Sequence, residues 1–176
     1  MNPFLNYALL QCRKYKAMAD GAMAQITPEQ FFHALDPEAN SIALLVKHVS
    51  GNQRSRWTNF LASDGEKPDR DRDGEFEVRG DTKESLMARW ESGWKLFFDA
   101  LAPLGDADLA RVVTIRAEPH TVMQAVNRQM THYAYHVGQI VLLAKHLAGA
   151  KWTSLSIPRG KSKEWDVAKD GTKYRA

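Results

Sequence analysis

His132 and His136 stand four residues apart in the run QMTHYAYHVGQIVLLAKHLAG. In a helix, four residues rise about 6 Å and turn slightly more than once, so both imidazoles leave one face. Two rings so placed can share one metal ion. At about 100° per residue from His132, Val122, Ala125, Tyr133, Ile140, Leu143 and Leu147 fall between about 20° and 100°, an apolar arc. His136 lies inside that arc at about 40°. His132 lies on its edge, beside a polar strip of Arg128, Tyr135, Gln139 and His146. Buried neutral imidazoles must satisfy their nitrogens. Either a metal takes one nitrogen of each ring and an acceptor takes the other, or each ring simply hydrogen-bonds a neighbour. Both alternatives fit the pair taken alone.

A further histidine, His48, sits in LLVKHVSGNQRSRWTNFL. It shares a flanking, mostly polar stripe with Ser41, Leu44, Asn52, Ser55 and Asn59, while Ile42, Leu45, Val49 and Phe60 mark the buried side. Such a stripe beside a core can leave a cleft, and His48 gains meaning only if the stripe faces the His132/His136 edge. The remaining histidines are weaker candidates. His33 falls in a linker, and His120 follows Pro119 at a helix entry where it can cap. His146 is about 15 Å along the axis from His136, too far for one ion.

Four long helical patterns position these rings. The first runs from about Pro3 to Met23, with Phe4, Leu5, Ala8, Leu9, Cys12, Tyr15 and Ala19 at helical spacing. Thr27-Pro28-Glu29-Gln30 reads as a short helix start. The second pattern opens at Ser41, with Asn40 or Ser41 as N-cap, and runs to about Ala62. A charge-dense insertion, Ser63 to Asp81, follows and reads as a surface loop or small hairpin that Phe76 and Val78 can anchor. The third helix starts at Thr82 and carries a core stripe of Leu86, Trp90, Trp94 and Leu101; Pro103 and Gly105 close it. RVVTIRAEP has the alternation of a short strand or extended connector. The fourth helix spans about Thr121 to Ala148 and ends at Gly149. An irregular tail, 150–176, has Trp152, Leu155, Ile157 and Trp165 available to pin it. Mid-helix Gly138 costs about 1 kcal/mol against Ala, which suggests the close approach of another helix or a homodimer.

Long helices with little strand in 176 residues predict one all-α domain spanning 1–176, built as a helical bundle. Net charge is only +3, and the basic residues of the tail are interspersed with acidic ones, which argues against a nucleic-acid partner. The apolar runs are too short to span a bilayer. No signal-peptide pattern opens the chain, so a cytoplasmic location is expected. The single cysteine, Cys12, excludes an intramolecular disulfide and a multi-cysteine zinc site.

LLVKHVSGNQRSRW and THYAYHVGQIVLLAKHL together resemble the DinB/YfiT-like superfamily of metal-binding four-helix bundles, in which one histidine comes from the second helix and an H-x-x-x-H pair from a later one. PDRDRDGEFE and SLSIPRGKS are similar to an uncharacterised branch of it. The resemblance covers the chain to about Lys163. It implies a four-helix bundle with a charged loop between helices 2 and 3, a short extended segment before helix 4, and a metal on His48, His132 and His136. Three imidazoles suit transition metals, zinc or nickel foremost, rather than magnesium or calcium. An open fourth position is the catalytic pattern for zinc, and it can take water or a thiolate. Tyr133 stands where H-E-x-x-H proteases have their glutamate. Within that superfamily some members resemble thiol S-transferases using bacillithiol or mycothiol and others thiol-dependent isomerases; a metal-dependent transferase acting on a small molecule with such a thiol is expected. The alternatives are a non-catalytic metal- or ligand-binding bundle with a stress role, and a metal-dependent hydrolase. Asn52, Arg128, Tyr135 and Gln139 are the candidate substrate contacts, although Tyr135 and Gln139 can equally orient the histidines.

Overall fold

The computed structural model describes residues 2–164. Trp165 and the tail residues beyond it, expected to pin or solvate the C-terminus, lie outside the described residues. Within them the chain is mostly helical: α1 (Pro3–Met23), α2 (Pro28–Phe32), α3 (Ile42–Trp57), α4 (Lys83–Leu101) and α5 (Val122–Ala148), with a two-stranded antiparallel sheet of β1 (Val112–Ile115) and β2 (Glu118–Thr121). No helix among the described residues is long and apolar enough to cross a membrane.

Every α-helix begins at a side-chain cap. Asn2, Thr27, Ser41, Thr82 and Thr121 each accept from amides of the following turn, and Gln30, Ser85 and Gln124 answer back from the third position. Each such cap is worth about 1 kcal/mol. α3 packs on α4 and α5, and α1 packs on α5 and α4. The core between α3, α4 and α5 is aromatic. Trp57, Trp90, Trp94, Phe97 and Tyr133 are buried, as is the expected stripe of Leu86 and Leu101. Trp57 Nε1 donates to Tyr133 Oη at 2.8 Å and Trp90 Nε1 to Asp20 Oδ1 at 2.8 Å, whereas the buried Trp94 Nε1 has no partner among the described residues.

Several boundaries differ from the sequence expectation. α3 stops at Trp57 rather than near Ala62 because Asn59 turns left-handed, with φ 49°. Its carbonyl then accepts from the Ala62 and Ser63 amides at 2.9 and 3.0 Å. Asparagine tolerates that region better than most residues. The extended connector is a hairpin, and Pro119, expected at the helix entry, lies in β2. Its turn residues Arg116 and Ala117 both have positive φ, 55° and 61°. Neither is the glycine or asparagine that marks such turns. Asp64 compensates, its carboxylate accepting from both turn amides at 2.8 and 2.7 Å. His120 sits in β2, and the cap of α5 is Thr121.

The charged segment 63–81 forms no hairpin. It contains one short turn of 3₁₀ helix, Asp73–Phe76, and lies along α3. Ser55 Oγ donates to the Gly65 carbonyl at 3.0 Å and accepts from the Lys67 amide at 2.9 Å. Lys47 Nζ donates to Asp81 and to the Glu77 carbonyl, both at 2.7 Å. This cover explains why α3, with its polar stripe, is buried on nearly every face. Phe76 packs its ring on His48 with centroids 4.9 Å apart but stays partly exposed, and Val78 is exposed. The close approach expected at Gly138 is absent: a Cβ there meets nothing within 4 Å.

Candidate metal centre

α3 and α5 bring the three histidines together. His48 Nε2 lies 3.2 Å from His132 Nε2, which lies 3.1 Å from His136 Nε2. One ligand atom from each ring falls within 4.8 Å of the others, so the cluster can hold a metal ion. Two imidazoles bound to one tetrahedral zinc at the usual bond length have nitrogens about 3.3 Å apart. The inward helix face read from the sequence is correct. His136 is buried, His132 is half-buried, and Val122, Ala125, Tyr133, Ile140 and Leu143 form the apolar arc. His146 is exposed and stands apart from the cluster.

The outer nitrogens explain which way the rings face. His48 Nδ1 donates to Glu75 Oε2 at 2.8 Å, and His136 Nδ1 donates to Gln139 Oε1 at 2.9 Å. With those protons committed, the Nε2 atoms of His48 and His136 present lone pairs toward His132. A single proton on His132 Nε2 cannot satisfy both, whereas a cation satisfies all three nitrogens. Burial first, then the neighbouring His136 and His48 rings with Arg70 and Arg56, push the His132 imidazole down to about 3. Burial, reinforced by His48 and opposed by the Gln139 hydrogen bond, pushes His136 down to about 4. Both rings are therefore neutral near pH 7, as a metal ligand must be.

Glu75 is the residue that sequence reasoning missed. It comes from the charged segment, where nothing distinguishes it from a dozen similar neighbours. Arg70 grips it with two hydrogen bonds, Nε to Oε1 at 2.8 Å and Nη2 to Oε2 at 2.9 Å. Burial pushes the Glu75 carboxyl up, but the hydrogen bonds from His48 and Arg70 and the charge of Arg70 outweigh it and hold the group below the usual range. Gly51 on α3 makes room for it, since a Cβ there would sit 2.2 Å from Glu75 Oε1. Carboxylates behind ligating imidazoles fix the tautomer and the ring orientation.

His48 and His132 also line a cavity of about 380 Å³, with Asn52, Arg56, Arg72, Arg116, Arg128 and Tyr135 among its walls. Asn52 is buried with Oδ1 unpartnered among the described residues. Tyr135 is exposed and lays its ring against His136, centroids 4.6 Å apart. Arg128 is exposed, and Gln139 is turned to His136. A larger cavity, about 820 Å³, lies beyond Arg70 and Glu75, between the charged segment, α3 and α4. No imidazole lines it, and Lys47, Arg54 and Arg79 on its walls are paired with Asp81, Asp69 and Asp71. The histidine cluster borders the smaller one.

These features define a mostly helical protein whose two principal site helices converge three imidazoles beside a cavity. The chain matches, over residues 1–161, the family described as "Protein of unknown function (DUF1572)", and it belongs to that family. Neither a curated protein nor a solved structure matches it significantly.

Proposed function

We propose that this chain is a four-helix bundle of the DinB/YfiT-like kind that holds one divalent transition metal, zinc or nickel, on His48, His132 and His136. It acts there as a metal-dependent S-transferase on a small molecule, using a low-molecular-weight thiol. The observation that carries this reading is the meeting of three Nε2 atoms beside an open cavity while Glu75 and Gln139 hold two of the outer nitrogens. When bound, such an ion supplies the Lewis acidity that keeps a thiol deprotonated at neutral pH.

The chain's own groups divide the remaining work. Glu75, held by Arg70, fixes the tautomer and orientation of His48, and Gln139 does the same for His136. Asn52 and Arg128 stand in the cavity wall within reach of a substrate, and Tyr135 partly covers the His136 side. The thiol has to come from outside. Cys12 is buried in α1, and burial pushes its thiol up to about 12, where it is inert. Hydrolysis is the weaker reading because it calls for a base beside the open position. Among the described residues no aspartate or glutamate lines the cavity, and both oxygens of Glu75 are taken by Arg70 and His48.

The test is metal content by mass spectrometry on wild type, His48→Ala and His132→Ala, followed by thiol consumption with bacillithiol, mycothiol and glutathione against an electrophile. A single transition metal per chain and a metal-dependent thiol transfer, both lost in the variants, are the expected result. Metal without any thiol transfer would leave a binding-only bundle. No metal after reconstitution with zinc and nickel would end the metal site and every catalytic reading with it.

A further inference from the structure

We propose that the cavity beside the three imidazoles recognises the oxyanion, carboxylate or phosphate, of a small acidic substrate, with the Arg56 guanidinium as its buried anchor and Arg128 at its rim. This names the substrate class of the site described above and rests on that reading.

Arg56 lies on α3, two turns beyond His48, and only 4 % of it is exposed. Its Nε and Nη1 are fully buried and meet no acceptor among the described residues. The nearest carboxylate oxygen is Glu66 Oε2, 4.0 Å from Nη2. That same oxygen is already 3.3 Å from Arg70 Nη1 and 3.2 Å from Arg116 Nε. Glu66 is thus divided among three guanidiniums, and Arg70 is further committed to Glu75. Arg72 and Arg128 form no ion pair among the described residues; Arg128 Nη1 comes only to 3.5 Å from His120 Nε2. Arg56, Arg70, Arg72, Arg116 and Arg128 therefore line one cavity whose walls carry no aspartate or glutamate among the described residues.

A buried charge without a full partner is costly, and proteins ordinarily pair it or remove it. Here the packing instead makes space for it. A Cβ at Gly65 would sit 2.7 Å from Arg56 Nη1, so the glycine gives the guanidinium its seat. Burial presses against the charge of Arg56, Glu66 only partly offsets it, and the neighbouring Arg128 and Arg70 add to the penalty. A guanidinium matches carboxylate and phosphate oxygens in a two-pronged geometry. An anion entering the cavity supplies the missing counter-charge. The Gln129 Oε1 and Asn52 Oδ1 acceptors, both buried, unpartnered among the described residues and on the same walls, suit an N–H or O–H elsewhere on that molecule.

The experiment is calorimetric titration of succinate and of inorganic phosphate into zinc-reconstituted protein at constant ionic strength, with metal content measured on every sample. Saturable binding of at least one anion is expected, weakened about tenfold or more in Arg56→Met and severalfold in Arg128→Gln. Succinate without phosphate identifies a carboxylic acid, and phosphate without succinate a phosphate ester; either supports the proposal. Should Arg56→Met fail to fold, Arg128→Gln decides alone. Absence of saturable binding of both anions to metal-loaded wild type, or affinity unchanged in the folded variants, overturns the proposal and leaves the metal reading intact. Arginine-dependent anion binding to protein that refuses metal does the reverse.

Discussion

α3 and α5 build two regions of opposite character, an aromatic seam and a polar corner. In the seam, Trp57, Trp94, Phe97 and Tyr133 are buried, with Trp94 and Tyr133 centroids 5.0 Å apart and Trp57 and Phe97 5.1 Å apart. The polar corner adjoins the seam on the same two helices, with Arg56 next to Trp57 and His132 next to Tyr133, and there buried groups remain incompletely paired: His132 Nδ1, Arg56 Nε and Nη1, Asn52 Oδ1 and Gln129 Oε1. The seam is arranged for stability, with Trp94 Nε1 left unpartnered among the described residues. The corner withholds partners that a metal and a ligand can supply, and stability is given up wherever a buried polar atom waits.

Mutations that separate stability from metal content test this contrast. Trp94→Ala is expected to remove about 3–5 kcal/mol of stability, read as a fall in melting temperature, while the folded fraction keeps its metal. Loss of metal from folded Trp94→Ala protein would mean the two regions are not independent. Glu75→Gln reverses the pattern. It keeps an acceptor for His48 but loses the charge, so metal affinity should fall about 10–100-fold, measured by competition with a chelating dye, with a smaller change in melting temperature than Trp94→Ala. Arg56→Met should be neutral or stabilise by about 1 kcal/mol or more, because it removes an undercompensated buried charge. Chemical denaturation reads the sign, and clear destabilisation would place Arg56 with the seam rather than the corner. The smallest effect is outside both regions. Ala117→Gly, at φ 61°, should stabilise by about 1 kcal/mol by relieving the left-handed penalty of the hairpin turn.

The residues themselves show how far local reasoning carries. The Ser41 cap, the starts of α4 near Thr82 and of α5 near Thr121, the buried stripe of α4 and the inward rings of His132 and His136 were legible because each depends on neighbours within one or two turns, whereas the cap of α5 is Thr121 and not the expected His120. The end of α3 was not, because Asn59 in a polar run carries no mark of the left-handed turn it makes. The Arg116–Ala117 turn was hidden for a stronger reason: its stabilising partner is Asp64, 52 positions away from Arg116. Glu75 and Arg56 share that obscurity. One lies among many similar charges, and the other reads as an ordinary solvated arginine at the end of a helix.

By itself the sequence determined the long helices, their starts, the face that α5 turns inward and the residue types able to hold a transition metal. Those follow from periodicity and from side-chain-to-backbone hydrogen bonds that span a few residues. Tertiary structure alone decided that His48 meets His132 across 84 positions, that Glu75 of the charged segment fixes the His48 ring, and that Arg56 is sealed into a cavity wall without a full counter-charge. Each of these depends on how distant segments pack and on where glycines such as Gly51 and Gly65 leave room, and no local pattern encodes that.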